Sequence, residues 1–139
     1  MRTKVASTAL AILLIAGLPK LLSKESKIED KLEYLGVVRV TKYTHNEGGR
    51  ITASGYYLKD RDQGKLCAVS RDWFRKKVKV WDVIYLEHFN QTCIVVDTMA
   101  LQNSKGFKQT KWVDVYHTSV EEALEFGIQR SKAYLVRTR

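Results

Sequence analysis

A chain of 139 residues that is 45% hydrophobic and 28% charged fits one compact domain and is too apolar for an intrinsically disordered protein. Its formal net charge of +9 leaves nucleic acid, anionic lipid and anionic cell-wall polymer open as partners. The basic residues are scattered apart from a cluster at 75–79, and no zinc-finger, helix-turn-helix or RNA-binding aromatic motif accompanies them. Specific nucleic-acid binding is therefore not expected.

The first predicted element, residues 1–22, has the pattern of an export signal. A positively charged start precedes the apolar run Val5–Leu18, which is the order of charge and hydrophobicity that export machinery reads. The run reaches the roughly 20 residues that a bilayer core requires only if Leu21 and Leu22 are included. Because no pair of small residues is spaced for signal peptidase, an uncleaved anchor over residues 5–22 is the first interpretation. A cleaved signal peptide and a buried N-terminal helix are the alternatives.

The next segment, residues 23–35, is predicted to be a charged helical tether. Ile28, Leu32 and Leu35 recur at helical spacing among many charged residues. Such a helix lifts the following domain, residues 36–139, away from a membrane or packs on that domain.

From residue 37 onward the sequence has the pattern of short strands separated by polar turns. This pattern, rich in β-branched residues and repeated at short intervals, favours a closed or nearly closed barrel. The segments predicted to be strands, with a helical turn at 72–75 between the third and fourth, are 37–43, 51–55, 66–70, 79–86, 93–97, 111–116 and 133–137.

One helix is predicted between the last two strands. Ser119 and Glu122 have the spacing of a capping box, in which each side chain satisfies a backbone amide of the first turn. Gly127 is placed to end this helix in a left-handed turn. A strand, a short helix and a final strand are therefore the local topology that we expect near the C-terminus.

Two aspartates are the candidates for acid–base chemistry. On the strand at 111–116 the valines point to one side, and Asp114 and Tyr116 point to the other. Asp97 ends a separate apolar run, where partial desolvation raises the pKa of a carboxyl group. An acid that holds its proton near neutral pH can protonate a glycosidic oxygen. The alternative is that both residues are ordinary strand-end aspartates bonded to loop amides.

The cysteines, histidines and tryptophans leave several alternatives open. Cys67 and Cys93 match neither a metal-binding nor a redox spacing, so they are either a disulfide in an exported chain or two small buried hydrophobes. The histidines are isolated on different segments, and no metal site is expected. Trp73, Trp81 and Trp112 suit either stacking on sugar rings or, for at least two of them, filling of the core or rim.

Six short motifs, taken in chain order, are similar to one known family. They are Val40–Thr44, Thr52–Gly55, Cys67–Ser70, Val95–Thr98, Val113–Tyr116 and Glu122–Gly127. Together they resemble the three-aspartate (3D) domain, the family of MltA-type lytic transglycosylases and stationary-phase muralytic proteins. The similarity extends over about residues 38–137.

The resemblance implies a mainly β fold, a six-stranded double-psi β-barrel with one or two short helices, preceded by the N-terminal signal or anchor helix. It also implies cleavage of the bond between N-acetylmuramic acid and N-acetylglucosamine to a 1,6-anhydro product, without metal or organic cofactor. In this scheme Asp114 is the catalytic acid and base, and Asp97 supports it. The substrate-binding residues that we expect are Thr52, Ser54, Ser70, Asp72 and Tyr116.

The chain departs from the family pattern at the rim of the expected cleft. Ser70 stands where the family has its first aspartate, although Asp72 follows two residues later. Met99 replaces a glycine, the segment 99–111 is longer than in the family, and residues 74–77 replace a proline-glycine motif. A non-catalytic glycan-binding barrel and an envelope or phage structural protein are therefore kept as alternative functions.

The expected partners are the glycan strands of peptidoglycan and, through residues 5–22, a membrane. The expected location is the periplasm or the outer face of the inner membrane. No feature of the sequence specifies an oligomeric state.

Overall fold

A computed structural model of the protein describes residues 31–137. The predicted signal or anchor segment at 1–22 and residues 23–30 of the predicted tether lie outside this range. The strands are β1 (Leu32–Tyr43), β2 (Leu66–Val69), β3 (Val83–Leu86), β4 (Gln91–Thr98), β5 (Trp112–Tyr116) and β6 (Gln129–Val136). The helices are α1 (His45–Gly48) and α2 (Val120–Phe126), and 3₁₀ turns cover Asp60–Asp62 and Glu87–Phe89.

The six strands of the described region close into one barrel in the order β1-β5-β2-β4-β3-β6. Two neighbouring pairs, β1 with β5 and β2 with β4, are parallel. The other four pairs are antiparallel. The predicted mainly β fold is confirmed as a closed six-stranded barrel with two short helices among residues 31–137. No helix in this range has the length and apolar character needed to span a bilayer.

The barrel interior is filled by one apolar cluster to which all six strands contribute. Val113, Ile84 and Leu135 are fully buried in it, and Val38 and Val40 are 1% exposed. Each strand supplies alternate residues to this cluster, as expected for a sheet that closes on itself.

Cys67 on β2 and Cys93 on β4 are joined by a disulfide inside this interior cluster, with a Cα–Cα distance of 5.8 Å. The structure therefore selects the disulfide from the two alternatives for these residues. The bond links two strands that already pair in parallel, so it reinforces a contact between segments distant in the chain.

A second apolar cluster lies on the outer face of β1, β5, β2 and β4. Residues 44–65, which connect β1 to β2, help to cover this face and supply the fully buried Leu58. The other buried members are Tyr43, Leu66, Ala68, Val96, Met99, Trp112 and Tyr116. The two candidate acids, Asp97 and Asp114, lie on this same outer face.

Several predicted boundaries differ from the structure. Residues 32–35, assigned to a helical tether, belong to β1 because they pair with the C-terminal end of β6. An ion pair of 2.7 Å joins Glu33 of β1 to Arg137, the residue that follows β6. Residues 51–55 form a turn closed by an isolated bridge between Ile51 and Tyr57, not a strand. Pairing with neighbouring strands determines which of these residues form strands, and the local residue pattern does not indicate that pairing.

The predicted helix near the C-terminus is confirmed as α2. Ser119 caps it, its Oγ accepting a hydrogen bond of 3.1 Å from the amide of Glu122. The Glu122 carboxylate pairs with Nε2 of the buried His117 at 3.3 Å. Gly127 follows the helix with φ of +65°, a backbone region that favours glycine.

Candidate functional site

Asp114 and Asp97 lie in a single row that crosses four strands of the barrel. Thr41 of β1 pairs with Asp114 of β5, Asp114 pairs with Ala68 of β2, and Ala68 pairs with Asp97 of β4. Directly opposed residues on neighbouring strands point to the same side of a sheet. Thr41, Asp114, Ala68 and Asp97 therefore share the outer face, with the short side chain of Ala68 between the two carboxyl groups.

A β-bulge brings Asp97 onto this face. Val95 pairs with Cys67 and points into the barrel, so simple alternation would turn Asp97 inward as well. The register shifts by one residue at this point, and Ala68 pairs with Asp97 instead of Val96. Both Val96 and Asp97 therefore lie on the outer face. Bulges commonly redirect side chains in this way beside functional sites.

The turn at residues 52–55 holds Asp97 in place. Asp97 Oδ1 accepts hydrogen bonds of 2.9 Å from the amides of Ala53 and Thr98. The amide of Ser54 donates to the carbonyl of Val96 at 3.2 Å, which fixes the turn against the end of β4. Backbone amides can only donate, so this oxygen serves as an acceptor.

A hydrogen-bonded chain of defined direction fixes Asp114. Trp112 Nε1 donates to Thr41 Oγ1 at 2.8 Å, and Thr41 Oγ1 donates to Asp114 Oδ1 at 2.8 Å. Since an indole nitrogen can only donate, the single hydroxyl proton of Thr41 points at Asp114. Oδ1 therefore accepts, and a protonated Asp114 carries its proton on Oδ2. Among residues 31–137 no group hydrogen-bonds Oδ2.

The surroundings raise the pKa of Asp114 to about 7. Burial is the largest cause because it disfavours the charged form. The hydrogen bond from Thr41 acts in the opposite direction, whereas the charges of Glu47 and Asp97 raise the pKa further. Asp114 is thus placed to both give and take a proton near neutral pH.

Tyr43 adds a buried hydroxyl to the site. Burial, followed by the charges of Asp97 and Asp114, raises its pKa well above the ordinary range, so it keeps its proton. The side chain is 8% exposed, and an interaction of its hydroxyl with the Asp97 carboxyl also raises the pKa, although no group in the described part of the chain forms a hydrogen bond of good geometry with it. The Tyr43 hydroxyl therefore lies beside Asp97 as a protonated donor.

The predicted substrate-binding residues are distributed around this row. Thr52 Oγ1 and Ser54 Oγ contact each other at 2.9 Å within the turn that holds Asp97. Tyr116 is fully buried, and its hydroxyl lies 3.3 Å from Nδ1 of His45, below the outer surface. The structure thus brings Thr52 and Ser54 close to Asp97, whereas Tyr116 contributes to the packing of the second apolar cluster.

Ser70 and Asp72 lie at the end of β2 and connect it to β5. Ser70 is fully buried, and its Oγ accepts a hydrogen bond of 3.0 Å from the amide of Trp112. Asp72 Oδ2 accepts a bond of 3.2 Å from the amide of Lys111. Both side chains hold the start of β5, which positions Trp112 and through it the chain to Asp114.

Sequence reasoning missed three residues of the site: Thr41, Tyr43 and Trp112. Alternation along β1 was a usable signal, because it places Thr41 and Tyr43 on the face opposite Val38 and Val40. Only the parallel register of β1 with β5 shows that this face continues to Asp114.

The donor set of the described residues contains no cluster of three or more His, Cys, Asp or Glu side chains arranged to hold a metal ion. Comparison with models of known protein families and with curated proteins finds no match to this chain. The site itself consists of a proton-holding acid and a second carboxylate on one face of the barrel.

Proposed function

We propose that the protein is an exported, cell-wall-acting lytic transglycosylase that cleaves the bond between N-acetylmuramic acid and N-acetylglucosamine. The observation that carries this proposal is Asp114. It is a partly buried carboxyl with a pKa raised to about 7, and its proton is directed to the unbonded Oδ2. Asp97 lies on the same face, across Ala68.

In the proposed reaction Asp114 first acts as an acid and then as a base. Oδ2 gives its proton to the glycosidic oxygen as the bond to the anomeric carbon breaks. The resulting carboxylate takes the proton of the muramoyl 6-hydroxyl, whose oxygen bonds to the anomeric carbon and closes the 1,6-anhydro ring. Asp114 is then protonated again, and no water is consumed. Asp97 stabilises the positive charge that develops at the sugar.

The remaining donors of the site have supporting roles in this proposal. Tyr43, whose hydroxyl lies beside Asp97, donates a hydrogen bond to an oxygen of the bound sugar. Thr52 and Ser54 line the wall beside Asp97 and contact the substrate. The roles of Ser70, Asp72 and Tyr116 are indirect. They hold the strand and the packing on which the position of Asp114 depends.

The fold supports the same proposal. Two parallel strand pairs, β1 with β5 and β2 with β4, interrupt an otherwise antiparallel six-stranded barrel. A closed six-stranded barrel is compatible with the double-psi β-barrel that the resemblance of the sequence to the three-aspartate domain implies.

Two further features support an exported protein that acts on an anionic polymer. The disulfide between Cys67 and Cys93 is typical of proteins that fold in an oxidising compartment. The net charge of +9 favours association with an anionic wall. Residues 5–22 would supply the signal or the membrane anchor.

Digestion of purified sacculi tests the proposal. The full chain is expected to release 1,6-anhydro-muropeptides, detected by mass spectrometry, and Asp114→Asn is expected to release none while keeping its fold by circular dichroism. Glu125→Gln, an equivalent change on the exposed side of α2, is the matched control and keeps the activity. Failure of the unchanged chain to release any anhydro product would refute the catalytic proposal.

A glycan-binding barrel without catalysis is the second candidate. It is favoured by one observation: both hydrogen bonds to Asp97 Oδ1 come from backbone amides that tie a turn to β4, which is a structural role. This candidate predicts that the chain sediments with sacculi, releases nothing, and binds equally well as Asp114→Asn. An envelope or phage structural protein predicts neither binding nor release.

A further inference from the structure

Trp81 combines two properties that packing of the barrel does not explain. Its side chain is 56% exposed, in contrast to Trp73 and Trp112, which are 5% and 8% exposed. Its φ angle is +75°, in a region that side-chain-bearing residues rarely adopt. Strained residues of this kind concentrate at ligand-binding positions.

The turn that precedes β3 enforces this conformation. The amide of Trp81 donates to the carbonyl of Val95 at 2.7 Å, and the amide of Val95 donates to the carbonyl of Asp82 at 2.8 Å. Asp82 Oδ2 also accepts a hydrogen bond of 2.8 Å from the amide of Lys79. A glycine at residue 81 would satisfy the same bonds without strain, so the fold does not require the indole.

The Trp81 ring packs against the segment that holds Asp97. Tyr56 meets it at right angles, with ring centroids 5.9 Å apart and an interplanar angle of 87°. Tyr56 is itself fixed, because its hydroxyl donates to Asp62 Oδ2 at 2.9 Å and its carbonyl accepts the amide of Thr52 at 3.0 Å. The same turn supplies the Ala53 amide to Asp97. An exposed aromatic ring therefore lies against the turn that holds Asp97.

We propose that Trp81 is a stacking platform for a pyranose ring of an N-acetylated hexosamine glycan, at a subsite adjoining Asp97 and Asp114. This inference rests on the proposed function, which places a glycan at the acids. The axial C–H groups of a pyranose pack against an aromatic face, and an indole offers the largest such face together with a polar edge. The contact with Tyr56 restricts the indole, which reduces the side-chain entropy lost on binding.

Calorimetric titration of the full-length Asp114→Asn chain with N-acetylglucosamine tetrasaccharide and with soluble uncrosslinked glycan strands tests the platform. Adding Trp81→Gly is expected to weaken binding about tenfold, equivalent to about 1.4 kcal/mol, while thermal stability is unchanged or higher because the strain is relieved. Trp81→Phe retains most of the affinity. Tyr34→Ala removes an exposed aromatic ring of similar exposure, 53%, from β1 and leaves binding unchanged.

Iodide quenching of tryptophan fluorescence gives a second readout, on the unchanged chain and on Trp81→Gly. Trp81 is the only tryptophan of residues 31–137, which include all three in the chain, that is more than half exposed. Bound glycan should therefore protect the exposed emission from iodide quenching, and this protection should disappear in Trp81→Gly.

The outcomes separate this inference from the proposed function. Unchanged affinity and quenching in Trp81→Gly would overturn the platform and leave the release of anhydro-muropeptides unaffected. An equal loss in Tyr34→Ala would overturn it too, since the effect would not be specific to the site. Binding that depends on Trp81 in a chain that releases nothing from sacculi would support the platform and refute the catalytic activity. A chain that binds no glycan in either assay would refute both.

Discussion

Asp97 and Asp114 lie two strands apart on one face of the barrel, and Ala68 between them pairs with both. Strand spacing puts their Cα atoms roughly 10 Å apart. The small side chain of Ala68 leaves space between the two carboxyl groups. The charge of Asp97 is the smallest of the influences that raise the pKa of Asp114, and burial is the largest. The proton of Asp114 is therefore held mainly by its position in the fold.

This proton makes the stability of the chain depend on pH. The pKa of Asp114 rises from 3.8 to about 7 on folding, so folding takes up a proton between those values. The free energy of unfolding should fall as pH rises through this window, by up to roughly 4 kcal/mol. Asp114→Asn imitates the protonated carboxyl, so the stability of this variant should lack the pH dependence that Asp114 causes. Urea unfolding at pH 5 and pH 8 checks this: the difference in stability between the variant and the unchanged chain should grow in favour of the variant by roughly 2–3 kcal/mol from pH 5 to pH 8. An equal loss of stability in both chains between pH 5 and pH 8 would contradict this prediction.

Thr41→Val should shift the pH dependence of the site upward. The hydrogen bond from Thr41 lowers the pKa of Asp114, so its loss raises that pKa. It also leaves Trp112 Nε1 without its acceptor, at a cost of about 1–3 kcal/mol in stability. NMR titration of the Asp114 carboxyl and urea unfolding measure the two effects. Thr41→Ser keeps the hydroxyl and is the control; a titration unchanged in Thr41→Val would show that the bond is not formed.

Gly55→Ala should weaken the turn that holds Asp97. Gly55 has a φ of +89° and open space around an added Cβ, so the penalty is conformational, about 1–2 kcal/mol. Sacculus digestion should slow, because this turn carries the Ala53 amide to Asp97. Gly48→Ala is the matched control, since Gly48 also has open space but no positive φ. Equal stability of the two variants, measured by urea unfolding, would rule out this account of the turn.

Reduction of the disulfide should destabilise the barrel. Cys67 and Cys93 are 26 residues apart, and a closed loop of that length contributes about 3 kcal/mol by restricting the unfolded chain. Comparing urea unfolding with and without reductant measures the effect. The Cys67→Ala/Cys93→Ala double variant should show no response to reductant, and a response there would assign the effect to something other than this bond.

Local sequence patterns were sufficient to predict helix α2, the alternation of β5 and the mainly β fold. The caps of α2, Ser119 and Gly127, predicted its ends, and alternation on β5 correctly separated Val113 and Val115 from Asp114. The mainly β fold followed from short β-branched runs separated by turns. These features depend on residues close together in the chain, where backbone preference and side-chain period act directly.

Tertiary structure alone decided how these elements meet. The bulge at Val96 turns Asp97 outward, against the direction that alternation predicts, because the register between β2 and β4 shifts there. The partner of Asp114 is Thr41, 73 residues away in the chain. Strand pairing across a closed barrel is set by hydrogen bonds and packing between segments that are distant in the chain. Neither can be predicted from the local sequence. The sequence therefore determines which acids are available, and the barrel determines which of them face one another.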